Sequence, residues 1–251
     1  IPEWNVPHPF FLCLSLLMSN AIFAKNYDSI YGENNYFLQI KEFEIEQGFC
    51  IYKDKSPNNA DMGIAYINLG LGIMSNFEIG LKAPYIFMQN ADNGLADISV
   101  FQRFKILEES DKSLNLGAVF DINLPTGSVN NSDKYDSKKV DIRLGLFGGK
   151  DLSVLRLFGT FAVNFRDGGD YRTLEYDLGA NIFLTKQFKL TAELTGDRVS
   201  DEPKYFKSES YLAPGIIFNN EKNLVAKVSI PIGLDSDAAE YGVNLSFSHS
   251  F

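Results

Sequence analysis

Cysteine and histidine are nearly absent from this 251-residue chain, at two residues each, and tryptophan occurs once. Two cysteines, Cys13 and Cys50, build no disulfide framework, and two histidines leave no Cys/His spacing for a structural metal. A long hydrophobic run is also missing. A spanning helix needs about 20 consecutive apolar residues, and the best stretch, Phe10 to Ala24, is interrupted by Ser15, Ser19 and Asn20. Helical membrane bundles are thereby excluded. No block rich in Lys or Arg occurs, and the formal charge is −9. Phosphate binding wants a clustered basic surface, so no nucleic-acid partner is expected. What the chain has in quantity is Phe (21) and Tyr (12). Aromatic side chains suit a pleated surface and argue against disorder.

The run Phe10 to Met18, followed by Ala21-Ile22-Phe23-Ala24, resembles the apolar core and small-residue cleavage site of an export signal. Residues 1–24 are therefore expected to be a signal peptide and 25–251 a single barrel domain. No Lys or Arg precedes the apolar run and the chain opens on Ile1, so residues 1–9 read as extraneous or fragmentary.

From Gln39 onward one pattern repeats: apolar/polar alternation, a turn signal, then alternation again. Period two places alternate side chains on opposite faces of a sheet. Tyr241, Val243, Leu245, Phe247, His249 and Phe251 share one face; Gly242, Asn244, Ser246, Ser248 and Ser250 share the other. Twelve such segments are expected, at 39–53, 61–73, 77–88, 95–107, 113–125, 139–149, 154–166, 174–185, 188–199, 208–219, 223–234 and 239–251. Their connections alternate between short turns, such as Ser75-Asn76 and Lys186-Gln187, and longer polar loops, such as 126–138 and 200–207. An even strand count with short turns on one rim and longer loops on the other predicts an all-β fold, a single closed antiparallel transmembrane β-barrel.

Alternation alone does not say which face is outside. The apolar rows are nearly free of charge, whereas the polar rows mix small residues with charges of both signs. Phe77, Phe188, Phe218 and Phe251 at the short turns, and Tyr52, Tyr85, Phe87, Phe165 and Tyr211 at the long loops, read as two interfacial girdles. The apolar face is therefore expected to meet lipid. On that assignment Leu178→Arg should impair folding and Gly179→Ser should not. The inward glycines, including the Asn68-Leu69-Gly70-Leu71-Gly72 stretch, are expected to leave lumen space.

The predicted pore-lining charges are Glu78, Lys82, Asp97, Arg103, Lys105, Asp121, Asp141, Arg143, Arg156, Glu175, Asp177, Lys189, Glu193 and Lys227, with Glu44 and Glu46 beside them. They fit either a network of ion pairs that fills the lumen or a lining that selects solutes. Arg143 and Arg156, on neighbouring strands, are expected to approach each other as a basic patch. No catalytic constellation stands out: His249 sits on the lipid-facing row, and a Ser–His site needs further partners on adjacent strands. Neither a metal, a cofactor nor an enzymatic activity is expected.

Three stretches carry a resemblance to a known family. They are Asn76-Phe77-Glu78-Ile79-Gly80-Leu81-Lys82-Ala83-Pro84-Tyr85, Gly94-Leu95-Ala96-Asp97-Ile98-Ser99-Val100 and Leu124-Pro125-Thr126-Gly127-Ser128. In order and spacing they resemble the outer-membrane barrels of the meta-pathway of phenol degradation family, often called transporter-like proteins, with Ala96 where that family more often has Gly. The C-terminal strand, with Phe247 and Phe251, looks like the signal read by the barrel assembly machinery. The resemblance implies a bacterial outer-membrane location, with lipid and small-molecule solutes as partners. It also implies passive uptake of small solutes, often aromatic, and supplies no catalytic residues. The rival reading is a structural or adhesive barrel with a plugged lumen.

Overall fold

The structure is a computed structural model that describes residues 37–54, 61–88, 93–111, 113–128, 139–169, 171–200, 208–220 and 223–251. The export segment expected at 1–24 lies outside the described residues. Fourteen strands are formed: β1 (Phe43–Lys53), β2 (Met62–Met74), β3 (Phe77–Met88), β4 (Gly94–Leu95), β5 (Ile98–Leu107), β6 (Asn115–Leu124), β7 (Asp141–Leu152), β8 (Leu155–Arg166), β9 (Tyr171–Phe183), β10 (Phe188–Ser200), β11 (Glu209–Asn219), β12 (Leu224–Ser229), β13 (Ile232–Gly233) and β14 (Tyr241–Ser250). Two of them are fragments of longer strands. β4 leads into β5 across a one-residue slip, since Lys82↔Ser99 gives way to Tyr85↔Leu95 on β3. β13 prolongs β12 in unbroken register, with Gly215↔Ser229 followed by Leu212↔Ile232. Pro231 between them has no N–H for the ladder, yet its carbonyl still accepts the Gly242 N–H at 2.8 Å.

The wall thus has twelve members, each antiparallel to the next. β1 pairs β14 from Glu44↔Ser250 to Lys53↔Tyr241 and closes the cylinder, which leaves no free sheet edge. The first strand differs from expectation. It begins at Phe43, and residues 37–42 turn back on themselves: Lys41 has φ 65°, and the Glu42 N–H returns to the Gln39 carbonyl at 2.9 Å. Among the described residues no helix is long and apolar enough to cross a membrane, which says nothing of strands.

The apolar rows face outward. Leu144, Leu146, Phe161, Leu174, Leu178, Ile182, Ile216 and Val243 are all exposed, while their sequence neighbours Phe147, Asp177, Asn181, Ile217 and Asn244 are buried. In water, so continuous an apolar band would be an aggregation surface; in a bilayer it is the required one. The girdles hold in part. At the short-turn rim Phe77 stacks on Phe104, Phe188 meets Phe218 at a tilt and Phe251 lies beside Phe43, and Tyr85 meets Phe87 toward the long loops. Tyr52 and Tyr211 do not belong to a girdle. They alternate with outward-facing Ile51 and Leu212, and their rings meet inside the mouth at 5.8 Å.

The inward glycines are not open space. Gly48, Gly80, Gly117 and Gly179 stand directly opposite Tyr66, Phe101, Phe147 and Phe158 on the neighbouring strand. In each pair the inward ring lies over the glycine, where a Cβ would overlap it. The expectation that Gly179→Ser is harmless is therefore corrected, because the Phe158 ring occupies the volume a serine side chain needs.

Candidate functional site

The lumen is built from the inward row of every strand, and its two halves differ. Toward β6–β10 it is packed. Phe147 is 1% exposed, and Phe158, Thr160, Asn164, Thr173, Asp177, Asn181, Lys189, Thr191 and Glu193 are buried with it. Toward β1, β2, β3, β5, β12 and β14 a cavity of about 380 Å³ remains. It runs from Tyr52 near the long-loop end of β1 to Leu38, and its walls include Tyr66, Asn68, Pro84, Ser99, Phe101 and Asn244.

Charged side chains brace this interior. Arg103 lies in register with Glu78 and forms an ion pair with it, both deeply buried. Arg143 donates to Asp121 at 2.9 Å and to Glu175 at 2.7 Å, so it ties β6 and β9 together across β7 and β8. Lys82 stands 3.8 Å from Asp121 and 5.2 Å over the Phe101 ring. Lys227 reaches Glu46 at 3.3 Å, across the β14 seam. Glu46 also accepts from Asn68 at 3.1 Å, and Glu44 from Ser250 at 3.1 Å. Glu78, Arg103, Asp121 and Lys227 are buried, so leaving one of them unmatched would be costly, and the register is correspondingly specified.

Other members of the predicted lining serve the rims. Arg156 bonds Asp151 at 2.7 Å and Glu109 at 2.8 Å at the short-turn end, and Lys105 is 3.9 Å from Glu108 there. Asp141 accepts the Asp167 N–H at 2.7 Å at the opposite end. The basic patch expected from Arg143 and Arg156 does not form. In the β7–β8 register Arg143 opposes Asn164 and Arg156 opposes Asp151, at opposite ends of the hairpin, and each is matched by carboxylates. Asp177 and Glu193 are buried in the packed half; Glu193 accepts from Thr191 at 3.3 Å, and Lys189 lies 5.2 Å over the Phe183 ring.

Asp97 has a different task. Its carboxylate accepts the N–H groups of Thr126 at 3.0 Å and Gly127 at 2.9 Å. The Thr126 hydroxyl accepts the Ile98 N–H at 2.9 Å, and the Ser128 N–H reaches the Leu95 carbonyl at 2.8 Å. Two of the stretches that carry the family resemblance, 94–100 and 124–128, are therefore one clamp that holds the β5–β6 exit at the long-loop rim.

The inward aromatics Tyr52, Tyr66, Phe101, Phe147 and Phe158 were not expected to line the lumen. A signal for them exists: each shares parity with polar or small residues on its own strand, as Tyr66 does with Asn68 and Gly70, and all five face a glycine across the ladder. Among the described residues no cluster of His, Cys, Asp or Glu is placed to hold a metal.

A closed barrel with an apolar outside and a charged, hydrogen-bonded inside is a transmembrane β-barrel of the bacterial outer membrane. The chain belongs to the family described as Putative MetA-pathway of phenol degradation, which matches residues 41–251. Among solved structures it is similar to an outer-membrane channel from Pseudomonas putida F1, with a TM-score of 0.60 and 11% identity over 89% of this chain and 100% of that one. It is also similar to the KdgM porin in complex with disordered oligogalacturonate, with a TM-score of 0.57 and 12% identity over 83% of this chain and 99% of that one. At these identities the likeness is one of fold. No curated protein matches the chain significantly in sequence.

Proposed function

We propose that this barrel is a passive outer-membrane channel for small solutes, with aromatic compounds the class its walls suit best. The observation that carries the reading is the cavity itself. Tyr52, Tyr66, Phe101 and Pro84 offer flat apolar surface, and the lining charges balance: Glu44, Glu46 and Glu78 against Lys82, Arg103 and Lys227. Aromatic rings set among charges of both signs suit small aromatic ligands that carry polar substituents, and balanced charge gives little ion selectivity. A volume of about 380 Å³ holds one substituted ring and no folded protein. The inward charges act as lining where they border this cavity and as bracing elsewhere. No catalytic role is assigned to any residue.

Planar-bilayer recording tests the reading. The protein should show discrete openings with a reversal potential near zero in a salt gradient. Lys82→Glu should shift that potential toward cation preference, because Lys82 is the most exposed of the lining cations, at 33% of its side chain against 9% for Arg103 and 2% for Lys227. A folded barrel that shows no openings at any voltage would overturn the channel reading.

We also infer that the C-terminal strand, with Phe247 and Phe251, is what the barrel assembly machinery recognises. Phe251 completes the seam, since its N–H donates to the Phe43 carbonyl at 2.8 Å and its carbonyl accepts the Phe43 N–H at 3.2 Å.

A further inference from the structure

Charge is matched unevenly along the cavity wall. Of the six charged side chains that border it, Glu78 pairs with Arg103 and Glu46 with Lys227. Glu44 accepts the Ser250 hydroxyl at 3.1 Å, toward the short-turn rim. Lys82 is matched from outside the cavity. It faces Asp121 at 3.8 Å, and the Asp121 oxygen on that side already accepts from Arg143 at 2.9 Å. Lys82 also keeps 33% of its side chain exposed, the most of the three lining cations.

Strand register frames this lysine. Asn68 on β2 and Ser99 on β5 stand directly opposite it, one on each side. Asn68 gives one amide N–H to Glu46 at 3.1 Å and has a second to donate. Ser99 is small and its hydroxyl donates to Asn123, so it does not contend for the ammonium. The next inward pair toward the long-loop mouth is Tyr66 and Pro84, also in register. On the other flank the Phe101 ring lies 5.2 Å from Lys82 Nζ. Lys82, Asn68 and these three flat side chains all line the one cavity of about 380 Å³. Its middle therefore offers two kinds of donor N–H, with flat apolar surface above and beside them.

We propose that Lys82 and Asn68 bind the carboxylate of a monocyclic aromatic acid whose ring rests against Tyr66, Pro84 and Phe101. This rests on the channel reading and names its solute class. The acid follows from the donors. A lysine ammonium is a compact point charge on a flexible stem, and its hydrogen bond to an ionised acceptor is roughly twice as strong as one between neutral groups. Carboxylic acids are ionised at neutral pH, whereas a phenol, like the tyrosine side chain with its pKa of about 10, is not. A phenol would thus bring Lys82 only a neutral oxygen. The incoming anion also displaces no short ion pair, because Asp121 keeps its bond to Arg143. The ring follows from the walls, since flat side chains hold a planar ligand over both faces or an edge.

Fluorine NMR titrations of the folded, detergent-solubilised protein test the site, with protein-free micelles as the blank. The probes are para-fluorobenzoate and para-fluorobenzamide, which has nearly the same shape without the charge. The benzoate should bind about tenfold more tightly than the benzamide, the effect of one charge-assisted hydrogen bond. Lys82→Gln should abolish that preference, and Lys82→Arg should retain most of it. Should Lys82→Gln fail to fold, the preference of the parent carries the test alone. Cyclohexanecarboxylate, which has the charge but no flat ring, should displace the probe several-fold less well than benzoate does; equal displacement would overturn the ring contacts. Equal binding of the two probes by the parent, binding of neither, or a preference that survives Lys82→Gln would overturn the acid site and leave the channel reading standing. A parent that shows the preference but no openings in a planar bilayer would overturn the channel reading and keep the site.

Discussion

Gly179 has no side chain, yet its position is one of the most constrained in the barrel, because Phe158 from β8 lies over it and Glu193 Cγ stands 3.0 Å from where a Cβ would be. Gly117 under Phe147 repeats the arrangement, as do Gly48 under Tyr66 and Gly80 under Phe101. Each pair buries an aromatic ring against backbone and fixes the rotation of two strands about each other. Gly179→Ser should cost about 1–3 kcal/mol, the usual price of forcing extra atoms into a filled site. The measurement is a urea-dependent folding titration into lipid vesicles. A midpoint equal to the parent's would mean that the Phe158 ring turns aside freely. This residue-scale feature was half legible. Inward parity for the glycines follows from the alternation, but the rings that cover them come from the next strand, so only the ladder register reveals them.

At the scale of the element, alternation decides which side chains meet lipid and which meet the lumen. Leu178 on β9 is 42% exposed on the outer face, and Asn68 on β2 faces the cavity beside Glu46. An arginine on the lipid side costs about 2–4 kcal/mol near the bilayer midplane. Leu178→Arg should therefore slow or prevent folding into bilayers. Asn68→Arg, with the Glu46 carboxylate to receive it, should fold close to the parent. Equal damage from both, read from the heat-modifiable fraction, would count against the facing assignment. Strand positions were largely legible because period-two patterning is local. The exceptions have local causes. Residues 39–42 leave the wall: Ile40 falls out of phase with the outward row of Phe43 and Ile45, Lys41 adopts φ 65°, and the chain turns into the lumen. Pro231 and the slip before Ile98 split two strands into β12–β13 and β4–β5.

For the whole molecule the decisive event is closure of β1 on β14, which joins the two ends of the described chain through ten register pairs. The last link is the reciprocal pair of backbone bonds between Phe43 and Phe251, and the Phe251 ring adds contacts to Phe43 and His249. Removal of Phe251, or Phe251→Ala, should lower the amount of heat-modifiable barrel in outer membranes while synthesis is unchanged. The deletion should act more strongly because it also removes the backbone link. Unchanged barrel levels in both would show that neither assembly nor closure depends on this residue.

By itself the amino-acid sequence determined the class of fold, the strand count, the loop asymmetry and the outward face, because each is written in the spacing of apolar residues along one strand at a time. It also placed the charges on the inward rows. Only the tertiary structure decided what those charges do. Arg143 finds Asp121 and Glu175, Arg156 finds Glu109 and Asp151, and Asp97 turns to the backbone of Thr126 and Gly127. Such partners lie far apart in the chain, and their meeting depends on strand register and curvature. The same holds for Phe37 and Leu38. Their local pattern does not show a segment folded into the lumen, and only the closed wall, bare of side chains at Gly70 and Gly72 beside Leu38 and Gln39, creates the space they fill.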